Sequence, residues 1–483
     1  METRALHSVQ AGKDHANAPQ LDFKLIAGWC AAVTCPALLF AVCQWVGMTF
    51  HASLFVALGG LVITMWIFTL VDHFIPPLLA TACLLFIDLA PPAVALSSFS
   101  SPSFITLLSV FALAAMIQSS GLSHRMLLWL QLRLPESPFW HQLSLMLYGL
   151  VLSLGTPSTN NRMALILPAF EGMSRSLRLP SGSASLTALF AAAYAGATLF
   201  STTLATSKTA SISVIAALPP HMQAQYTGMY WLTAASVSTG LLFVAHLLAS
   251  RWVFADTVRH QGPEADMSEQ LRSLGPMRSA EKLTLVAFLI LLTGSMSTAW
   301  HHVAPSAVAG MVLSIVLVTG VMSKSDFQKN IDWPMIIFLM SCDSLTKVMG
   351  HLGLSDDLAA FLRDRFTFIQ GDVTVFILSS LALVVFIRFF LPIVPSMLVS
   401  AMILLPVAQN EGIHLWLAVF VIAIFSDIWF FRYQNNVYLM AFNAGVIDRM
   451  DESAFMRHNL MMNLARILAV FASLPLWHGL SIA

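Results

Sequence analysis

The sequence predicts an all-α polytopic membrane protein of about eleven transmembrane helices and two re-entrant hairpins, arranged as two inverted-topology repeats. Three observations lead there. The first is composition: 57% of the residues are hydrophobic, 10% are charged and the mean hydropathy is +0.77, which no soluble domain of this length shows. The second is run length, because many segments reach or approach the roughly 20 apolar residues that cross a bilayer. The third is a duplicated pattern: Ser158 stands ten residues before Pro168, Ser396 stands ten before Pro406, and a mostly apolar helix-length run separates each pair. Polar-interrupted hydrophobic segments in matching places of two halves mark the binding site of a secondary transporter.

In chain order, residues 1–22 are polar and carry neither the apolar core nor the cleavage site of a signal peptide, so they read as a cytoplasmic tail. Apolar runs near 25–45, 52–71, 75–90 and 103–121 follow, then an amphipathic stretch, Ser123–Leu130, after Gly121-Leu122. The region near 140–170 is broken by polar residues and proline and reads as a hairpin. The run 184–217 is interrupted near 203–209, and 229–250 completes a first repeat spanning 23–250. Residues 251–283 hold five basic residues and Gln261-Gly262-Pro263-Glu264, the signature of a cytoplasmic linker.

The second repeat, 284–483, has runs near 284–300, 305–321 and 333–348, then Ser355–Arg363 after Gly353-Leu354. A second broken region near 374–408, a run at 414–446 interrupted near 432–436, and a run at 458–478 complete it. The order of parts is the same in both halves. Placement of lysine and arginine sets their sense. With the N-terminus inside, the inner segments hold 16 of the 24 Lys and Arg, and the outer loops near 46–51, 91–102, 218–228 and 301–304 hold none. The first hairpin then opens to the inner side and the second to the outer, in a bacterial inner membrane.

Net charge is zero, so nothing draws the chain to nucleic acid or to an acidic partner. Cys30, Cys35, Cys43, Cys83 and Cys342 fall within predicted spans with no metal spacing, and His301-His302 has no neighbouring ligand, so no metal site is expected. The chain has no Gly-x-Ser-x-Gly elbow, His-Glu-x-x-His helix or phosphate-binding loop. Neither an enzyme nor a nucleotide-driven pump is expected.

The chemistry lies at the broken segments. Hairpin tips expose backbone N–H groups at helix N-termini, where the dipole favours an anion. Ser158, Thr159 and Asn160 add donors at the first tip and Ser396 at the second, a pair of cradles for a two-ended anion. Arg162, Lys208, Arg388 and Arg432 fall within hydrophobic stretches, where a basic residue costs roughly 3 kcal/mol on the mildest scale. Asp427, five residues before Arg432, is its expected partner.

These residues carry a family resemblance. Ile331-Asp332-Trp333-Pro334 ahead of Ser344-Leu345-Thr346-Lys347, the hairpin ends Leu165-Ile166-Leu167-Pro168 and Leu404-Leu405-Pro406, and Gln434-Asn435-Asn436-Val437-Tyr438 are similar to the divalent anion:sodium symporter family. The resemblance runs from about residue 25 onward. It implies a homodimer working by an elevator-type motion on a C4-dicarboxylate or citrate, with Na⁺ as a coupling ion and no other cofactor. It also implies that Thr206, Lys208 and Asn435 belong with the tips in the substrate site. The departures are as informative. Ser-Asn-Thr becomes Ser158-Thr159-Asn160 at one tip and Ser396-Met397-Leu398 at the other, and Thr-Pro-Pro-Asn becomes Thr206-Ser207-Lys208-Thr209. A fixed ammonium in place of sodium ligands points to exchange or proton coupling. Sodium-coupled uptake of sulfate-like oxyanions, an anion sensor without transport, and the wider group of sodium/proton and arsenite permeases are the alternatives; the last expects acids at the breaks.

Overall fold

The computed structural model describes residues 23–135, 137–216, 228–254, 271–297, 303–354 and 368–482, with single positions between them. The tail 1–22, the linker positions 255–270, His301-His302 and most of 355–367 lie outside the described residues. Regular structure among the described residues is helical throughout.

Contacts divide the chain into two compact units, residues 1–76 and 77–483. In the first, α1 (Phe23–Trp45) and α2 (Phe50–Ile67) pack side by side, joined by a turn in which the Thr49 hydroxyl caps α2 by accepting the Ala52 amide at 3.3 Å. They approach closely at Gly60, where an added Cβ would stand 2.3 Å from Leu39 Cδ1 and make that side chain turn aside. Val33, Leu38 and Trp45 point outward, an apolar exterior suited to lipid.

The second unit begins within α3 (Ile75–Phe86) and continues through α4 (Pro92–Ala95), α5 (Pro102–Ser119) and α6 (Leu122–Arg133). A helical hairpin follows, α7 (Pro138–Gly155) and α8 (Thr159–Ser176), then α9 (Ala184–Thr198), α10 (Thr209–Ala216) and α11 (Met229–Val253). Past the linker come α12 (Ser279–Met296), α13 (Pro305–Val318), α14 (Lys324–Lys329) and α15 (Trp333–His351). A second hairpin, α16 (Val373–Arg388) and α17 (Ile393–Asn410), precedes α18 (Leu415–Phe425), α19 (Asn436–Asn443) and α20 (Glu452–Gly479).

Among the described residues seven helices are long and apolar enough to cross a membrane: α1, α2, α5, α9 with its extension to Thr202, α11, α17 and α20. The apolar helices at 75–86, 306–318, 373–388 and 415–425 are shorter. Two of the expected runs, 184–217 and 414–446, are each split by non-helical backbone, which shortens the helices on either side.

The core gathers around α18, whose residues Trp416 to Phe425 are all buried, as befits a helix that is apolar all round. Trp416 stacks on Phe420 at 4.9 Å and meets Trp231 edge-on at 5.3 Å, while Trp477 closes on Phe420 at 5.5 Å. Two of the indole N–H groups are satisfied, Trp231 donating to Thr202 O at 2.9 Å and Trp477 to Ala234 O at 2.8 Å, while that of Trp416 is buried without a partner. On the other side of the unit α7 crosses α9 at a pair of glycines. A Cβ on Gly149 would lie 2.2 Å from the Gly196 carbonyl oxygen, so the two backbones touch with no side chain between them.

The two hairpins differ where the duplicated serines predict a match. Ser158 is the N-cap of α8, and its hydroxyl accepts the Asn161 amide at 3.3 Å. Ser396 is not at a tip. The turn of the second hairpin is Phe389 to Pro392, and Ser396 lies inside α17 with its hydroxyl donating to Ile393 O at 2.8 Å. Proline is well suited to a helix start, and Pro392 begins α17 earlier than the serine register implies.

Candidate functional site

After α9 the backbone leaves the α-helix for two short 3₁₀ turns, Leu199–Thr202 and Ala205–Ser207, and Lys208 is extended before α10 begins. This break is tied to the first hairpin. Ser207 Oγ donates to Ser153 O at 2.8 Å and Thr209 Oγ1 to Pro157 O at 3.3 Å, so the break abuts the tip at both ends. Thr206 is half-buried between them.

The second break follows α18, with a turn at Ser426-Asp427, a non-helical stretch ending in extended Phe431 and a 3₁₀ turn over Arg432–Gln434. Asn435 then caps α19: its Oδ1 accepts the Tyr438 amide at 3.0 Å and its Nδ2 donates to Tyr194 Oη at 2.6 Å. The break is tied to the second hairpin through Gln434. Gln434 Nε2 donates to Arg388 O at 3.0 Å, while Arg388 donates Nη1 to Leu391 O and Nη2 to Gln434 O. Asn459 and Asn463 of α20 both donate to Trp429 O, at 3.0 and 2.8 Å, which satisfies a carbonyl that the broken helix leaves open.

Lys208 joins the two breaks. Its buried Nζ donates to Asp427 Oδ1 at 2.7 Å, to Ser426 Oγ at 2.9 Å and to Ala423 O at 2.7 Å. Ser201 Oγ donates to the other Asp427 oxygen at 3.0 Å. Asp427 therefore pairs with Lys208, not with Arg432 as their spacing in sequence implies. The non-helical backbone after Asp427 leads to Arg432, whose side chain is 49% exposed and pairs with Glu452. Glu452 also accepts from Tyr438 Oη at 2.8 Å.

Arg162, in the first turn of α8, is fully buried, and none of its three guanidinium nitrogens has a hydrogen-bond partner. Arg466 of α20 is also buried and donates Nη1 to Asn463 Oδ1 at 3.1 Å. Arg162, Lys208 and Arg388 all feel the field of Asp427, and Lys208 also feels Arg388 and Arg466. Four buried cations thus lie in the interior, and Lys208 is the one that contacts Asp427 directly.

Of the residues expected in the site, Ser158, Thr159, Asn160, Arg162, Thr206 and Lys208 come together at the first tip and its break, while Arg388 and Asn435 meet at the second. Sequence reasoning missed Arg466, although a basic residue inside the 458–478 run was its signal. It also missed Gln434 and the His246–His458 pair, whose rings meet at 4.9 Å with Ser250 Oγ beside both. These histidines, with Tyr194, Asn459 and Arg466, supply polar groups to a small cavity that is otherwise lined mostly by apolar side chains.

Residues 24–480 match the model of the sodium:sulfate symporter transmembrane region. The inner membrane protein YbhI of Escherichia coli (strain K12) is 23% identical over 300 residues, 60% of this chain and 62% of that protein, so the match spans less than two thirds of the relative. The solved structure of the Alcanivorax borkumensis YdaH transporter, described as having an unusual topology, aligns with a TM-score of 0.54 at 17% identity over 82% of this chain and 89% of the other. That likeness concerns the fold.

Proposed function

This chain belongs to the sodium:sulfate symporter family of membrane anion transporters, and from that premise we propose that it carries a small organic dianion of the C4-dicarboxylate or citrate class across the bacterial inner membrane. One observation carries the reading: Arg162, Lys208, Arg388 and Arg466 are all buried in the interior, and the acid Asp427 is held by one of them, Lys208. Excess positive charge in a low-dielectric interior is costly unless an anion balances it. The same excess disfavours a cation as principal cargo.

Coupling follows from Lys208. Its ammonium sits among a carboxylate, a hydroxyl and a carbonyl oxygen at 2.7–2.9 Å, an all-oxygen environment of the kind a sodium ion seeks. A fixed cation there favours exchange, or coupling to protons, over strict sodium symport. The ties from each hairpin to its break favour their moving as one body, which suits an elevator-type motion in a homodimer of two inverted repeats.

Uptake of labelled succinate into proteoliposomes tests the reading, run with a sodium gradient, with a proton gradient, and with unlabelled dicarboxylate inside. The exchanger reading expects uptake that needs internal substrate and ignores sodium, and that Lys208→Ala removes. Sodium-driven uptake would return the chain to ordinary symport. Uptake of sulfate in place of succinate would move the substrate class to inorganic oxyanions, which a guanidinium and a helix N-terminus bind equally well. Binding without flux would mark a sensor.

A further inference from the structure

The first hairpin tip contains a group that the fold itself does not use. A guanidinium has five N–H donors in a fixed fork and does not shed its proton. Arg162 is 0% exposed, and its Nε, Nη1 and Nη2 reach no acceptor in the protein. The acid near enough to act on it, Asp427, already accepts from Lys208 and Ser201. Arg388, buried to the same degree, gives two of its nitrogens to backbone carbonyls.

The helix turn that carries Arg162 holds further groups without partners. Ser158 accepts the Asn161 amide with its hydroxyl and the Arg162 amide with its carbonyl. The amides of Thr159 and Asn160 are then the donors left over at the positive end of the α8 dipole. The Asn160 side-chain oxygen is buried without a partner as well, and a half-turn of that amide presents a donor in its place.

We propose that Arg162 is the principal anion ligand of this protein, its fork taking two oxygens of one end group of the cargo while the Thr159 and Asn160 amides take the same group from the helix side. The proposal rests on the anion-transport reading above. It names the end group by its chemistry: a planar carboxylate, or one face of a sulfate, either of which fits the fork at two points. It also makes the positive charge that holds the cargo a covalent part of the chain, so that end is recognised without a bound cation.

The test is equilibrium binding of labelled succinate, and separately of sulfate, to the purified full-length protein in nanodiscs. Arg162→Gln is expected to weaken binding of the accepted anion about 100-fold, in line with losing one partner of a buried charged pair. Arg162→Lys keeps the charge and loses the fork, and should recover about a tenfold part of that loss. Whichever anion shows this order is the source of the end group. Wild-type binding by Arg162→Gln would overturn the proposal and leave the transport reading standing. Failure of the wild-type protein to bind or move either anion would overturn both. If the glutamine variant does not fold, the wild-type chain still decides. Bound anion should shift the side-chain ¹⁵N–¹H resonances of Arg162 in the wild-type protein, and resonances unmoved by saturating anion would overturn the assignment.

Discussion

Two arginines at the two hairpins are buried to the same degree and are not alike. Arg388, at the end of α16, donates to the carbonyls of Leu391 and Gln434 and clamps the turn of its hairpin to the second break. Arg162, in the first turn of α8, donates to nothing. Burial alone therefore does not identify a functional charge in a membrane interior. The distinction lies in whether the surrounding backbone has been shaped to receive it. At Arg388 the broken helix supplies carbonyls that need donors, so one irregularity satisfies the other. At Arg162 no acceptor among the described residues meets the guanidinium, and the proposed anion would supply one.

Substitutions can break or sharpen this contrast. The largest effect is expected where one charge depends wholly on another. Asp427→Asn leaves the Lys208 ammonium without its acid and should cost about 3–5 kcal/mol, read as a fall in the thermal midpoint of the purified protein, with Lys208→Met in the same background recovering most of it. Next comes the pair of arginines itself. Arg388→Gln should destabilise by about 2–4 kcal/mol, because two buried carbonyls lose their donors. Arg162→Gln should leave the midpoint unchanged or raise it, since an unpaired buried charge is removed. Equal destabilisation by the two would end the contrast. Gly149→Ala tests the frame around the tip: a methyl 2.2 Å from the Gly196 carbonyl oxygen must separate α7 from α9, at a cost of about 1–3 kcal/mol, measured by the same melt. Ser396→Ala should do least, under about 0.5 kcal/mol and with uptake within about twofold, because its hydroxyl bonds only to its own helix.

Much of the architecture was legible in the sequence because it rests on local rules. Ser158 reads as a donor at the first hairpin tip, and it stands between the two helices there with its hydroxyl capping α8. The polar words at 203–209 and 432–436 interrupt apolar runs, and the helices break there. The same logic misplaced the second tip, because a serine ten residues before a proline is a weaker helix-start signal than Pro392. Pairing was illegible for a different reason. Asp427 lies five residues from Arg432 yet contacts Lys208, 219 residues away, since contact across a folded unit leaves no trace in spacing. Arg466 stood in an apolar run, yet nothing local showed which neighbours it would join.

The Lys208–Asp427 contact also bears on how the chain is made. At elongation rates of about 5–20 residues per second, the 219 residues between the two partners take roughly 10–45 s to synthesise. Through that interval the segment around Lys208 carries an unmatched ammonium, and its transfer from the insertion machinery into lipid is unfavourable. Only when the segment carrying Asp427 emerges does the first broken span gain a partner that makes the bilayer its stable home. The first broken span therefore completes its charge pairing only after most of the chain has been made.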